Sequence, residues 1–327
     1  MVMTLRDMET GVFAQSRYII ITPARNEQAF IEQTINSVVN QTFVPAKWVI
    51  VNDGSTDETR NIVRRYVANY EWIEMIDMPE RRDRSFAAKV HAFNRAHARL
   101  KGLEYEVIGN LDADVSLPRD YFQFLMSQFE ADPDLGVAGT IFTEEGYSSE
   151  TDSFEGQNHV AGGCQLFRRE CFEAIGGYTP NKAGGIDWIA VTTARMIGWK
   201  TRAFRERSFL HHRTLGTAER NVLASNFSYG EKDYYLGGHP LWEFFRVLYR
   251  ITKKPLVLGG VALYLGYLSA FLGQMERPVS DELMRFHRKE QMLKLRAVFR
   301  SLLSFRRIDN FEITPSSTTA ETGQHSE

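Results

Sequence analysis

Three times before Pro118, a run of apolar residues stops at polar ones and gives way to apolar positions at helical spacing. Tyr18-Ile19-Ile20-Ile21-Thr22 ends at Pro23, and Ile31, Ile35, Val38 and Val39 then fall on one helix face. Trp48-Val49-Ile50-Val51-Asn52 runs into Asp53-Gly54-Ser55. There Ser55 and Glu58 fit a capping box, which predicts a helix start just past Asp53. Val107-Ile108-Gly109-Asn110-Leu111 reads as a buried strand, and Pro118 opens the next predicted helix. Alternating units of this kind build a parallel sheet, and ligands bind at the carboxyl edge of such sheets. The pattern predicts an α/β fold.

Polar residues collect at each of these strand ends. Asp112 and Asp114, one residue apart after Leu111, stand out. Carboxylate oxygens are hard ligands for Mg²⁺ or Mn²⁺, ions that bridge to substrate phosphates. The pair therefore predicts a metal-diphosphate site, although acidic residues also cap helices. Asp53 before Gly54 reads alone as a turn residue; on the same predicted edge as Asp112 and Asp114, it reads as a ligand contact.

The carboxyl-terminal third has a different pattern. From Pro255 to Met275 no residue is charged, a length that would span a bilayer as a helix. Gly259, Gly260, Gly266 and Gly273 make it a poor isolated soluble helix, while glycine is common in membrane helices. Residues 284–307 then carry eight Lys or Arg against Glu290 alone, with Met292, Leu295, Phe299, Leu302 and Leu303 on one face. Such a basic amphipathic helix fits an anionic membrane surface; a buried closing helix followed by a solvated one is the plainer alternative. Basic residues flank the apolar stretch on both sides, which favours a re-entrant or interfacial segment over a crossing one. The polar tail, residues 311–327, has no apolar period and reads as disordered.

Composition narrows the class. With 39 basic and 41 acidic side chains the net charge is -2, so no global field favours nucleic acid. Two cysteines, Cys164 and Cys171, make no disulfide framework. The polar, acid-bearing start MVMTLRDMETG does not read as a secretory signal. The expectation is a peripheral protein, monotopic or with a single segment, on the cytoplasmic side of the inner or plasma membrane.

The ordered strings ITPARNEQAFIEQTINSVVNQT, VIVNDGSTDETRNIV, NLDADVSLP and GGIDWIAVTTARMIGWKT resemble the successive motifs of family-2 glycosyltransferases, over about residues 18 to 215. The resemblance implies a GT-A fold, a Rossmann-like and mostly parallel sheet flanked by helices. It also implies inverting, metal-dependent transfer from a nucleotide-diphosphate sugar, most often a UDP-sugar. Carried over by position, Asp114 binds the metal and Asp112 lies nearer the ribose and metal waters. Asp53 accepts a hydrogen bond from the base, and Pro23, Ala24, Arg25 and Glu27 wrap the nucleotide. A favourable first-turn charge is the plainer reading of Glu27. Asp187 stands where the family has an acidic pair, Ile186 replacing the first acid, and would be the general base; a helix N-cap is its other reading.

His211 and His212 occupy a place that often completes the metal site, and adjacent strand residues point to opposite faces, so one of them should face it. Arg213 could meet the diphosphate through a forked contact. Lys89 matches a diphosphate contact, but the family's usual preceding glycine is absent. Gly162 and Gly163 resemble the acceptor-side floor. Trp188 could stack on an acceptor sugar or simply pack in the core.

The domain expectation is an amino-terminal segment 1–17, a catalytic domain 18–235, a helical membrane-associated region 236–310 and the tail. The expected acceptor is a saccharide or lipid-linked saccharide. A polyprenyl-phosphate acceptor fits less well, because the Gly-Lys-Gly stretch common before the metal motif in such members is missing. An Asp-x-Asp phosphatase would place that motif on an early strand, yet two strand-helix units precede it here. A non-catalytic sugar-nucleotide-binding protein is the remaining alternative.

Overall fold

The computed structural model describes residues 17–80, 86–145, 147–149, 156–181, 184–213, 222–252 and 255–304. The amino-terminal segment through residue 16 and the tail from residue 305 lie outside the described residues.

The three predicted units are present. Strand β1 (Tyr18–Ala24) leads to α1 (Ile31–Val39), and β2 (Lys47–Asp53) leads to α2 (Thr59–Val67). Next come β3 (Ile73–Met78), α3 (Phe86–Arg99) and β4 (Val107–Leu111). Strands β3-β2-β1-β4 form one parallel half-sheet. Its residues alternate between two cores. Tyr18, Ile20, Trp48 and Ile50 face one, and Ile19, Ile21, Val49 and Val51 face the other. Burial on both faces explains why these strands read as continuous apolar runs.

The chain order turns back at β1, with β2 on one side and β4 on the other. In open α/β sheets that reversal leaves a crevice at the carboxyl ends of the strands.

The second half of the sheet is mixed. A two-residue strand β5 (Val115–Ser116) precedes α4 (Tyr121–Ala131), so the helix begins beyond Pro118 rather than at it. Then follow β6 (Leu135–Glu144), β7 (Tyr147–Ser148), β8 (Cys164–Arg168), α5 (Arg169–Ala174), α6 (Ile186–Met196) and β9 (Lys200–His211). Strand β8 runs antiparallel between β4 and β6, and β9 runs parallel to β6. Strand β5 pairs antiparallel with the end of β9.

The carboxyl-terminal part is helical: α7 (Val222–Tyr235), α8 (Pro240–Ile251), α9 (Leu258–Leu272) and α10 (Asp281–Ser304). Its glycines serve helix contact. A Cβ on Gly230 would lie 1.9 Å from the Leu263 carbonyl oxygen, and one on Gly266 would lie 1.9 Å from that of Phe227. Only glycine lets α7 and α9 approach so closely. The apolar stretch is thus not one bilayer-length element. At about 1.5 Å per residue α9 is roughly 22 Å long, against about 30 Å of hydrocarbon. No helix among the described residues is long and apolar enough to cross a membrane.

Helix α10 returns to the sheet-bearing half. Glu290 pairs with Arg195 of α6 at 2.9 Å, both buried. The one acid expected to offset the basic helix is therefore turned inward.

Candidate functional site

Pairing of β5 with β9 sets Val115 opposite His211. That register brings a histidine from far along the chain to the turn after β4. His211 Nε2 lies 3.5 Å from Asp114 Oδ1. With Asp112 they offer three ligand atoms within 4.8 Å of one another. Burial and the Asp112 carboxylate push the Asp114 acid up, against His211 and Arg213. Two clustered carboxylates and an imidazole are a donor set for a divalent cation, which would relieve their mutual repulsion.

A further acid lies beside the imidazole, within ion-pair distance of it but not hydrogen-bonded to it. His211 Nδ1 lies 3.4 Å from Glu144 Oε1 at the end of β6, with both side chains nearly buried. Metal-binding histidines commonly carry such a carboxylate on the other ring nitrogen, which fixes tautomer and orientation. The sequence reading missed Glu144. Its only local signal is an acid ending an apolar strand.

His212 is not brought to this group. Its ring stacks on Phe30, with centroids 5.5 Å apart. Its Nε2 meets the Ser116 hydroxyl at 2.8 Å. Residues on successive strand positions point to opposite faces, and here the alternation selects His211.

Lys89 on α3 reaches Asp112, Nζ to Oδ1 2.5 Å. Burial favours its neutral form, but Asp112, Asp187 and Asp114 outweigh that and hold the ammonium above its usual range. Arg213 donates to Glu27 Oε2 at 2.6 Å and lies 3.8 Å from Asp114 Oδ2. Glu27 is buried; that burial, with Asp114, raises its acid to about 7 against the pull of Arg213. Glu27 therefore belongs to the charged group rather than to a solvated helix turn.

Pro23 and Ala24 end β1, Asp53 ends β2, and Arg25 follows β1, so all stand on the carboxyl edge beside the acidic group. The first and second loops are laced together. Asn26 N–H donates to Ser55 Oγ at 3.0 Å, Thr56 N–H to Asn26 Oδ1 at 2.9 Å, and Glu27 N–H to Thr59 Oγ1 at 2.7 Å. The capping-box expectation is thereby corrected. Ser55 bridges the loops, Asp57 accepts from Thr59 N–H at 3.0 Å, and α2 starts only at Thr59.

Asp187 sits in the first turn of α6, and Gly185 holds the N-cap place with φ of +76°. The capping role is therefore not its own. Its carboxyl is held below the usual range. Burial pushes it up, but Lys232 and His159, the Trp188 backbone N–H and Lys89 prevail. Gly162 leaves it room: a Cβ there would come 3.0 Å from Asp187 Oδ2. One on Gly163 would come 3.0 Å from the Phe209 ring and 3.9 Å from His211. The Gly162 carbonyl accepts from Asn110 Nδ2 at 2.8 Å, and that of Gly163 accepts from Asp112 N–H at 2.9 Å. A floor of bare backbone thus joins Asp187 to the metal-type group.

Trp188 does not join that floor. It is buried, edge-on to His287 of α10 at 4.5 Å, where it fastens α6 to the carboxyl-terminal helices. Its place is in the core, not at an acceptor surface.

An open α/β sheet with an Asp-x-Asp turn at its carboxyl edge is the GT-A class of architecture. Residues 19–158 match the family model for glycosyl transferase family 2. A 4,4'-diaponeurosporenoate glycosyltransferase of Staphylococcus aureus (strain USA300) is 27% identical over 205 residues, 56% of this chain and 52% of its own length. The chain thus spans about half the length of the curated relatives it matches.

Among solved structures, the mannosyltransferase PcManGT from Pyrobaculum calidifontis, in complex with GDP-Man and Mn²⁺, superposes with a TM-score of 0.54 at 20% identity, covering 89% of this chain and 84% of its own. Residues 1–349 of S. aureus TarS in complex with UDP-GlcNAc give 0.52 at 12% identity, covering 89% and 92%. At these identities the likeness is one of fold.

Proposed function

We propose that this protein transfers a sugar, with inversion, from a nucleotide-diphosphate sugar to a hydroxyl of a saccharide or lipid-linked saccharide acceptor. The observation that carries this reading is the Asp112-Asp114-His211 group joined to Asp187 by the Gly162-Gly163 floor. Asp53, Pro23, Ala24 and Arg25 stand where they can hold the nucleoside. Arg213 and Lys89 supply positive charge beside the place of the diphosphate. Asp187, ionised and with room in front of it, takes the proton of the acceptor hydroxyl. The acceptor oxygen forms its bond to the anomeric carbon from the face opposite the diphosphate. The bond to the diphosphate oxygen breaks, and the electron pair leaves with the nucleoside diphosphate. Asp112, Asp114 and His211 would hold a divalent ion such as Mn²⁺ or Mg²⁺, which would supply Lewis-acid stabilisation of that leaving group.

The test is hydrolysis and transfer across UDP-, GDP- and dTDP-sugars, with and without Mn²⁺. Asp114→Asn keeps shape and removes a charge, so turnover should fall by orders of magnitude while folding is retained. Full activity in excess EDTA would rule the metal reading out.

The same reading includes an anionic bilayer as a partner. Exposed apolar side chains cover α8 (Leu241, Phe244, Leu248) and α9 (Val261, Leu265, Leu272). On α10, Arg285, Lys289, Arg296 and Arg300 are exposed together with Phe299 and Leu303. With Glu290 turned inward, this face matches anionic headgroups by charge and the bilayer boundary by apolarity.

A further inference from the structure

The last turn of α7 is applied directly to the start of α6. Lys232, Tyr235 and Leu236 share one helical face at spacings of three and four. Tyr235 donates its hydroxyl to the Gly184 carbonyl at 3.1 Å. A Cβ on Gly185 would come 3.2 Å from the Leu236 methyls and 3.3 Å from Lys232 Cε. The Lys232 stem therefore lies against backbone two residues before Asp187. Its ammonium makes no hydrogen bond or ion pair among the described residues.

The charged and titratable groups that face Asp187 come from several elements. They are Lys232 on α7, His159 ahead of β8, Lys89 on α3, and the hydroxyls of Tyr178 and Tyr235. Lys89 is already committed to Asp112. Lys232, His159 and Lys89 all favour the charged form of Asp187.

We propose that Lys232 is a positioning residue of the transfer: it keeps Asp187 a carboxylate facing the glycine floor, which makes the carboxyl-terminal helices part of the active site. This rests on reading Asp187 as the base. A half-buried carboxylate stripped of its cation is costly, and it relaxes by taking up a proton. A base that is protonated before the acceptor arrives cannot accept the hydroxyl proton. After transfer, the same cation favours release of the proton from Asp187 to water and resets the site.

The experiment follows Asp187 itself. In full-length protein labelled with ¹³C at aspartate carboxyls, the resonance lost in Asp187→Asn identifies the group, and its pH titration is recorded. Lys232→Met keeps much of the stem and removes the charge; it should move the midpoint up. Lys232→Arg restores a cation and should return it toward the original. Thermal unfolding of both variants monitors the fold. An unchanged midpoint in Lys232→Met overturns the proposal, as does a shift that Lys232→Arg fails to reverse. The transfer rate of Asp187→Asn tests the base reading separately, because the Lys232 effect on the titration stands whatever that rate proves to be.

Discussion

Asp187, the proposed base, is held charged by surrounding cations and given space by Gly162. Asp187→Asn removes proton-accepting capacity without changing shape. Nucleotide affinity, measured by calorimetry with Mn²⁺, should stay nearly constant, while transfer falls by about 10²–10⁴-fold or more. Weakened nucleotide binding with normal turnover at saturation would assign the residue to the donor instead. Glu144 offers a second test at this scale. Glu144→Gln leaves His211 without its anionic partner at 3.4 Å. Affinity for Mn²⁺, read by direct titration, should drop by about 10–100-fold with the fold unchanged. Asp53, Asp112, Asp114 and Asp187 were legible in the sequence because each stands beside a recognisable punctuation, a strand end or a glycine pair. Glu144 and Lys232 were not, because what makes them notable is a neighbour distant in the chain.

Helix α8 buries an acid that has no strand-end role. Glu243 is 2% exposed, and as a carboxylate it would have no donor for either oxygen among the described residues. Arg246, 3.7 Å away, is engaged by Asp233. Burial first, and then the Asp233 charge, raise the Glu243 acid from its ordinary 4.5 to about 9. The folded state therefore holds a proton that the unfolded chain releases at lower pH. The associated stability is fully present below about pH 4.5 and is lost as pH rises through about 9. Glu243→Gln imitates the protonated acid. It should raise the unfolding temperature at pH 8 and change it little at pH 4; equal effects at both would refute the assignment. Helical period also misled in this region. Met292, Leu295, Phe299 and Leu303 marked an apolar face of α10, yet Phe299 and Leu303 are exposed. The helix instead buries Leu283, His287, Glu290, Gln291 and Lys294, because specific partners such as Arg195 and Trp188 wait there.

For the whole molecule, the exposed apolar faces of α8 and α9 and the basic face of α10 define the expected association with lipid. Each basic side chain near an anionic surface contributes about 1 kcal/mol, screened by salt, whereas apolar insertion is not screened. The intact protein should float with phosphatidylglycerol-containing liposomes. Reversing Arg285, Lys289, Arg296 and Arg300 to Glu should weaken that binding strongly at low salt and much less at high salt. Intact protein that ignores anionic and neutral liposomes alike would end the membrane reading.

The sequence by itself determined the alternating strand-helix order, the carboxyl-edge placement of Asp53 and Asp112-Asp114, and the glycine-flanked Asp187. These are local properties, written in apolar period and in residues that end it. Only the tertiary structure decided that His211 rather than His212 meets the acids, because a two-residue pairing of β5 with β9 fixes which side faces inward. It alone turned the uncharged stretch into a glycine-packed helix against α7, since apolarity specifies burial but not the partner that provides it. It alone brought Lys232 from the carboxyl-terminal helices to Asp187, because charges far apart in the chain act on one another only once packing has fixed the distance between them.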